Sequence, residues 1–98
     1  MCKLKLYIAM GELSSERAVH DLKGVLDDAL PGQYQLELIN VLDHPEEALA
    51  DGIFTVPTAV KLSPGPPRQA VGDFSRDVEV LAALDLPDQS FKAGRQAA

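Results

Sequence analysis

The alternation of apolar and polar residues changes period along this chain, and each period predicts an element. In KLKLYIA, residues 3–9, lysine alternates with Leu4 and Leu6 before the run turns wholly apolar, as a strand entering a buried sheet does. Ala18, Val19, Leu22, Val25, Leu26, Ala29 and Leu30 then recur at helical spacing. Ser14 or Ser15 is the expected cap of that helix, with Glu16 favoured at the positive end of its dipole, and Pro31-Gly32 ends it. Tyr34, Leu36 and Leu38 alternate with Gln35 and Glu37, and Ile39, Val41 and Leu42 complete a second strand.

Asp43 followed by Glu46 has the spacing of a capping box, with Pro45 in the first turn, so DHPEEALAD predicts one short helix. Strands are expected over 58–62 and 68–72, joined as a hairpin by SPGPP. Ser75 is placed to cap a last helix carrying Val78, Leu81, Ala82 and Leu84. The order is β-α-β-α-β-β-α, an α/β class whose first half is a βαβ unit with a parallel pair and a right-handed crossover. From Pro87 on, PDQSFKAGRQAA lacks apolar periodicity, which predicts a domain over 1–86 and a flexible tail over 87–98.

Composition narrows what such a domain does. Ninety-eight residues with 46% hydrophobic content make one domain with a modest core. A formal net charge of −6 argues against nucleic acid or an anionic membrane as partner. No apolar run approaches the ~20 residues that span a bilayer, and MCKLKLYIAM leads into a strand with no cleavage site behind it. The single Cys2 forms no internal disulfide, so a cytoplasmic location is expected.

Candidate chemistry is sparse. His20 falls on the polar side of the first helix and His44 precedes a proline in a turn; with one remote cysteine they make no metal-ligand spacing. Asp27-Asp28 and Glu46-Glu47 are adjacent pairs, which do not converge on one substrate atom from a helix and read as solvated surface. No glycine-rich phosphate loop follows a strand, so no cofactor is expected. Tyr7, Phe54 and Phe74 are assigned to the core. Lys61 is either a solvent-facing strand residue or part of a charged binding edge, and Arg68, after SPGPP, reads as a loop surface charge.

Pro57 stands where the third strand begins, although proline cannot donate to a sheet ladder. A proline at that place in this order of elements resembles the thioredoxin fold, which carries a cis-proline there. The redox chemistry of that fold does not come with it. A dithiol belongs between the first strand and first helix, where the helix N-terminus lowers a thiol's pKa. That stretch here is AMGELSS, and Cys2 lies at the other end of the strand. The chain is expected not to be an enzyme, and a thiol oxidoreductase ranks last among its readings.

The run PTAVKLSPGPPRQAVGDFS, residues 57–75, is more specific. Pro57, Thr58, Lys61, Pro64, Pro67, Arg68, Gly72, Asp73 and Ser75 fit the P-T-x-x-K, proline-rich loop, arginine and G-D-[LF]-S order of the KaiB family. KLKLYIA, Arg17-Ala18 and LDL at 84–86 match as well, so the chain resembles KaiB proteins over roughly 3–86. The resemblance implies a regulator that binds the N-terminal ring of a hexameric KaiC-like ATPase, through Lys61, Arg68 and Arg17. It also implies two folds: a thioredoxin-like binding form and a ground-state form that self-associates. Pro57, Thr58, Gly72, Asp73, Ala83 and Asp85 fall where the two differ. Many relatives carry glycine where this chain has Ala83; alanine is the better helix former by about 0.8–1.0 kcal/mol and poor in strands, which favours the thioredoxin-like form here. Pro87 points the same way, because it stops a strand running past Leu86.

Departures from the family pattern point away from a central cyanobacterial clock role and towards a related Kai system in circadian or stress signalling. The loop Ala9–Ser15 is not the usual A-G-x-T-P-x-S, Gly52 stands for a lysine, Gln69 for a second arginine, and the acidic tail is absent. The alternative is a generic thioredoxin-like adaptor in another signalling pathway.

Overall fold

The computed structural model describes residues 1–86; the tail expected over 87–98 lies outside the described residues. Seven elements follow in the expected order: β1 (Cys2–Ile8), α1 (Leu13–Ala29), β2 (Tyr34–Asn40), α2 (Pro45–Ala50), β3 (Thr58–Ser63), β4 (Arg68–Val71) and α3 (Asp77–Ala83). The sheet order is β2-β1-β3-β4. β1 and β2 run parallel from Cys2↔Tyr34 to Ile8↔Asn40. β3 is antiparallel to β1, with Tyr7 opposite Thr58, and β4 antiparallel to β3, with Lys61 opposite Arg68. This is the thioredoxin-like arrangement, and residues 77–83 are helical as that form requires.

Strand alternation sorts side chains onto two faces. Leu4, Leu6 and Ile8 point to the face covered by α1 and α3, where they join Leu22, Val25, Leu26, Phe74, Val80, Leu81 and Leu84 in one core. Tyr7 points the other way and packs with Ile39, Ala48, Ile53 and Val60 beneath α2. Tyr7 and Phe74 are core residues as expected, but Phe54 is 84% exposed. The six-residue α2 is too short to cover it. Val78 is also exposed, and Val80 packs against the core instead.

The three helix starts differ from expectation for one reason: the candidate capping side chains bond elsewhere. α1 begins at Leu13, after Glu12, and Ser15 sits one turn inside it, where its Oγ accepts the Ala9 backbone N–H at 3.0 Å. That bond ties the helix to the end of β1. Asp43 accepts from the Asn40 amide at 3.2 Å instead of capping α2, which His44 precedes. Asp73 Oδ1 accepts the Ser75 N–H at 2.8 Å, so the turn before α3 is built on Asp73 and Arg76 occupies the cap position. β2 stops at Asn40, whose side-chain oxygen takes the Leu42 N–H at 3.2 Å and turns the chain before Val41 and Leu42 can extend the strand.

Candidate functional site

The predicted site residues fall at two opposite ends of the sheet. One end gathers Arg17, Pro57, Gly72 and Asp73 around a cleft of about 520 Å³ that Phe74 and Ser75 also line. It forms where the first turns of α1, the entrance to β3 and the β4–α3 turn come together. The Val56–Pro57 bond is cis, as is Ser63–Pro64 beyond the other end of β3. The Pro57 carbonyl accepts the Gly72 N–H at 3.0 Å, which closes the β3–β4 pair at this end. Gly72 has φ +92, a left-handed conformation that suits glycine. Thr58 is buried next to Pro57, and its hydroxyl donates to the Thr55 carbonyl at 2.7 Å, fixing the turn that enters the strand.

The electrostatics of this cleft are mixed. Bonds donated by Ser75, side chain first and then backbone, hold the Asp73 carboxyl below its usual range, with Arg76 and Arg17 adding smaller favourable charge effects. Asp73 therefore carries its negative charge on an exposed turn, across the cleft from Arg17. The position where a redox thioredoxin needs its thiols is Met10–Ser15, which holds none. Cys2 is buried at the opposite end of β1, and burial pushes its thiol pKa up although the Lys61 charge opposes the shift. Among the described residues no group of side chains is set to hold a metal ion.

The other end brings together Lys61 and Asp85. Here the expectation for Lys61 needs correction: it is neither solvent-facing nor on a charged edge but 3% exposed. Its Nζ donates to the Asp85 carbonyl at 3.2 Å. Lys61 shares strand parity with Ala59, so it points to the α1–α3 face, where α3 ends over it. Asp85 has φ +54, and the N–H groups of Asp85 and Leu86 close back on Ala82 and Leu81. Lys61 thus supports the C-terminal end of α3. Ala83 lies exposed in the last turn of that helix. Arg68 faces Lys61 in register on β4 but is exposed, at the end of the sheet far from Arg17.

Sequence reasoning missed a polar cluster under α2. Lys5 Nζ bridges Glu47 at 3.0 Å and Asp51 at 3.4 Å, and the Tyr7 hydroxyl donates to Asp51. Burial, then the bond to Asp51, raise the Tyr7 pKa to about 12. The Lys5 pKa is raised as well, mainly by its bond to Glu47. The only sequence signal was the alternation Lys3-Lys5-Tyr7, which places Lys5 and Tyr7 on one face.

Comparison with known proteins carries this geometry to a family. A model described as the KaiB domain matches residues 5–86. The circadian clock oscillator protein KaiB of Rippkaea orientalis is 43% identical over 83 residues, which cover 85% of this chain and 80% of that one. Circadian clock oscillator protein KaiB1 of Synechocystis is 42% identical, over 85% of this chain and 79% of its own. Among solved structures, the N-terminal domain of Synechococcus elongatus SasA aligns with a TM-score of 0.69 at 21% identity, covering 83% of this chain and 76% of that one. Oxidised mitochondrial thioredoxin 3 of Saccharomyces cerevisiae aligns with a TM-score of 0.68 at 12% identity, covering 86% and 76%. At those identities the structural likeness speaks to the thioredoxin-like fold alone. The family model and the sequence relatives together say more: the chain belongs to the KaiB family.

Proposed function

We propose that this chain is a non-catalytic, cytoplasmic regulator that binds the N-terminal ring of a KaiC-type hexameric ATPase and modulates its phosphorylation and ATPase cycle, in a circadian or stress-signalling system. The observation that carries the reading is membership of the KaiB family over nearly the whole described domain, with relatives named as circadian clock oscillator proteins. A thioredoxin-like frame without a thiol at the α1 N-terminus supports binding over redox chemistry.

The contact surface we propose runs along β4 and its turn, from Arg68 past the exposed Val71 to Gly72, Asp73 and Arg17. β4 is an edge strand, so its outer backbone groups are open to a partner. Pro57 and Thr58 shape the cleft from beneath, and Lys61 acts indirectly by holding α3. The self-associating form is a second state of the same chain, in which the segment 78–86, helical here as far as Ala83, refolds as a strand.

The test is binding of the full chain to a purified KaiC-type hexamer by interferometry. Reversing both rim cations (Arg17→Glu with Arg68→Glu) should weaken binding by about tenfold or more, and wild-type affinity should fall with salt. Unchanged binding of the double variant would remove the proposed surface. No binding by the wild type would remove the partner and leave a generic adaptor. Robust disulfide reduction that disappears in Cys2→Ser would overturn the non-enzyme reading.

A further inference from the structure

The end of the sheet away from Pro57 holds a second cleft, of about 400 Å³, bordered by Cys2, Leu30, Gln33, Lys61, Asp85 and Leu86. Its lining shares no contact residue with the proposed partner surface, although Lys61 lies opposite Arg68 on the neighbouring strand. Its place follows from the fold: the start of β1, the end of α1, the middle of β3 and the end of α3 meet there. Its size falls in the range of small-molecule sites, about 300–1,000 Å³, and like them it has mainly apolar walls with few polar groups.

Lys61 sets its chemistry. An ammonium carries three donors and no acceptor. Lys61 is 3% exposed, and among the described residues its Nζ has one acceptor, the Asp85 carbonyl, and no carboxylate within ion-pair distance. A buried charge without a counter-ion is costly, and an anion brought to it recovers part of that cost. Met1, Leu30, Pro64 and Leu86 make most of the wall, and Lys61 and Gln33 are its few side-chain donors, too few to replace the water of a multiply charged, strongly hydrated anion. A single carboxylate on an apolar body matches both features, its head on the ammonium and its body against the leucines.

We infer that this cleft is a binding site for a small amphipathic monocarboxylate, with Lys61 as the counter-ion and Leu30 and Leu86 as the apolar wall. The ligand would join the end of α3 to β1 and β3. By mass action it therefore stabilises the form in which α3 is helical.

The probe is octanoate, titrated into the full-length chain and followed by amide NMR shifts and thermal unfolding. Octanamide of the same length and inorganic phosphate serve as the uncharged and the purely anionic controls. The expected result is saturable shifts centred on Cys2, Lys61 and Leu86 at millimolar octanoate or below, with a raised melting temperature. Octanamide should bind at least tenfold more weakly, and phosphate should not compete. Lys61→Met should abolish the octanoate shifts. Because that variant also removes the support of α3, Leu86→Trp, which fills the cleft and keeps the lysine, should abolish them too. Equal binding of octanamide, competition by phosphate, shifts centred on another surface, no saturation, or retained binding in Leu86→Trp would each overturn the site.

Discussion

The two faces of the sheet are stabilised by different means. Among the described residues, sixteen buried ones form one apolar cluster beneath α1 and α3. Beneath α2, only five do, and the space is completed by the bonds among Lys5, Tyr7, Glu47 and Asp51. Fully burying a leucine contributes about 1.5–3 kcal/mol, whereas an exposed ion pair contributes about 0–1 kcal/mol. The first face can therefore hold the fold by packing alone. The second cannot, because a six-residue helix brings one buried residue, Ala48, to the sheet. The thin cover also leaves Leu42, Leu49 and Phe54 exposed around it. A short helix over a sheet thus converts an apolar face into a polar, hydrogen-bonded one, with its tyrosine fully buried.

The comparison is tested most severely on the apolar face. Leu22 is fully buried in the middle of α1, and Leu22→Ala should destabilise the domain by about 2–5 kcal/mol in urea unfolding. A loss below 1 kcal/mol would show that this face does not dominate.

On the α2 face, Tyr7→Phe keeps the packing and removes the bond to Asp51, so the expected cost is about 1.5–3 kcal/mol, the range for hydrogen bonds to charged groups. The same hydroxyl has a pH signature. Its pKa is raised from 10.0 to about 12 in the folded chain, so its contribution is fully present below pH 10 and is lost as pH rises towards 12. Tyr34, bonded to Asp27 at 2.5 Å and also raised to about 12, adds to the decline in that window. Unfolding at pH 9 and pH 11.5 should show a smaller alkaline loss in Tyr7→Phe than in the wild type. An equal loss would place the effect on Tyr34 alone.

The smallest expected effect lies at the edge of the apolar face. Ala83 is exposed in the last turn of α3, so Ala83→Gly should cost at most about 0.8–1.0 kcal/mol. Its informative readout is amide exchange across Val80–Leu86, which should quicken while exchange in β1 stays unchanged. On the two-state reading proposed above, the glycine variant should also self-associate more, detectable by light scattering.

Element order, the parallel start and the hairpin at the end were all legible in the alternation and spacing of apolar residues, because those periods are local properties of strands and helices. The absence of a dithiol at the head of α1 needed no structure either. The P-T-x-x-K to G-D-F-S run carried the family, since its order is a property of the chain. Other features depended on what covers each face. Lys61 alternates as any strand lysine does, yet β3 lies between β1 and β4 beneath α3, so its ammonium is enclosed and meets the Asp85 carbonyl twenty-four residues away. Phe54 reads as core by its type, and the brevity of α2 leaves it in solvent. Ser15, Asp43 and Ser75 had the right chemistry to cap helices. Ser15 and Asp43 bond Ala9 and Asn40 instead, and Ser75 donates to Asp73 from its side chain as well as its N–H, because the turn geometry brought those groups closer. Local sequence sets what a residue can bond; only the packed chain decides which partner reaches it first.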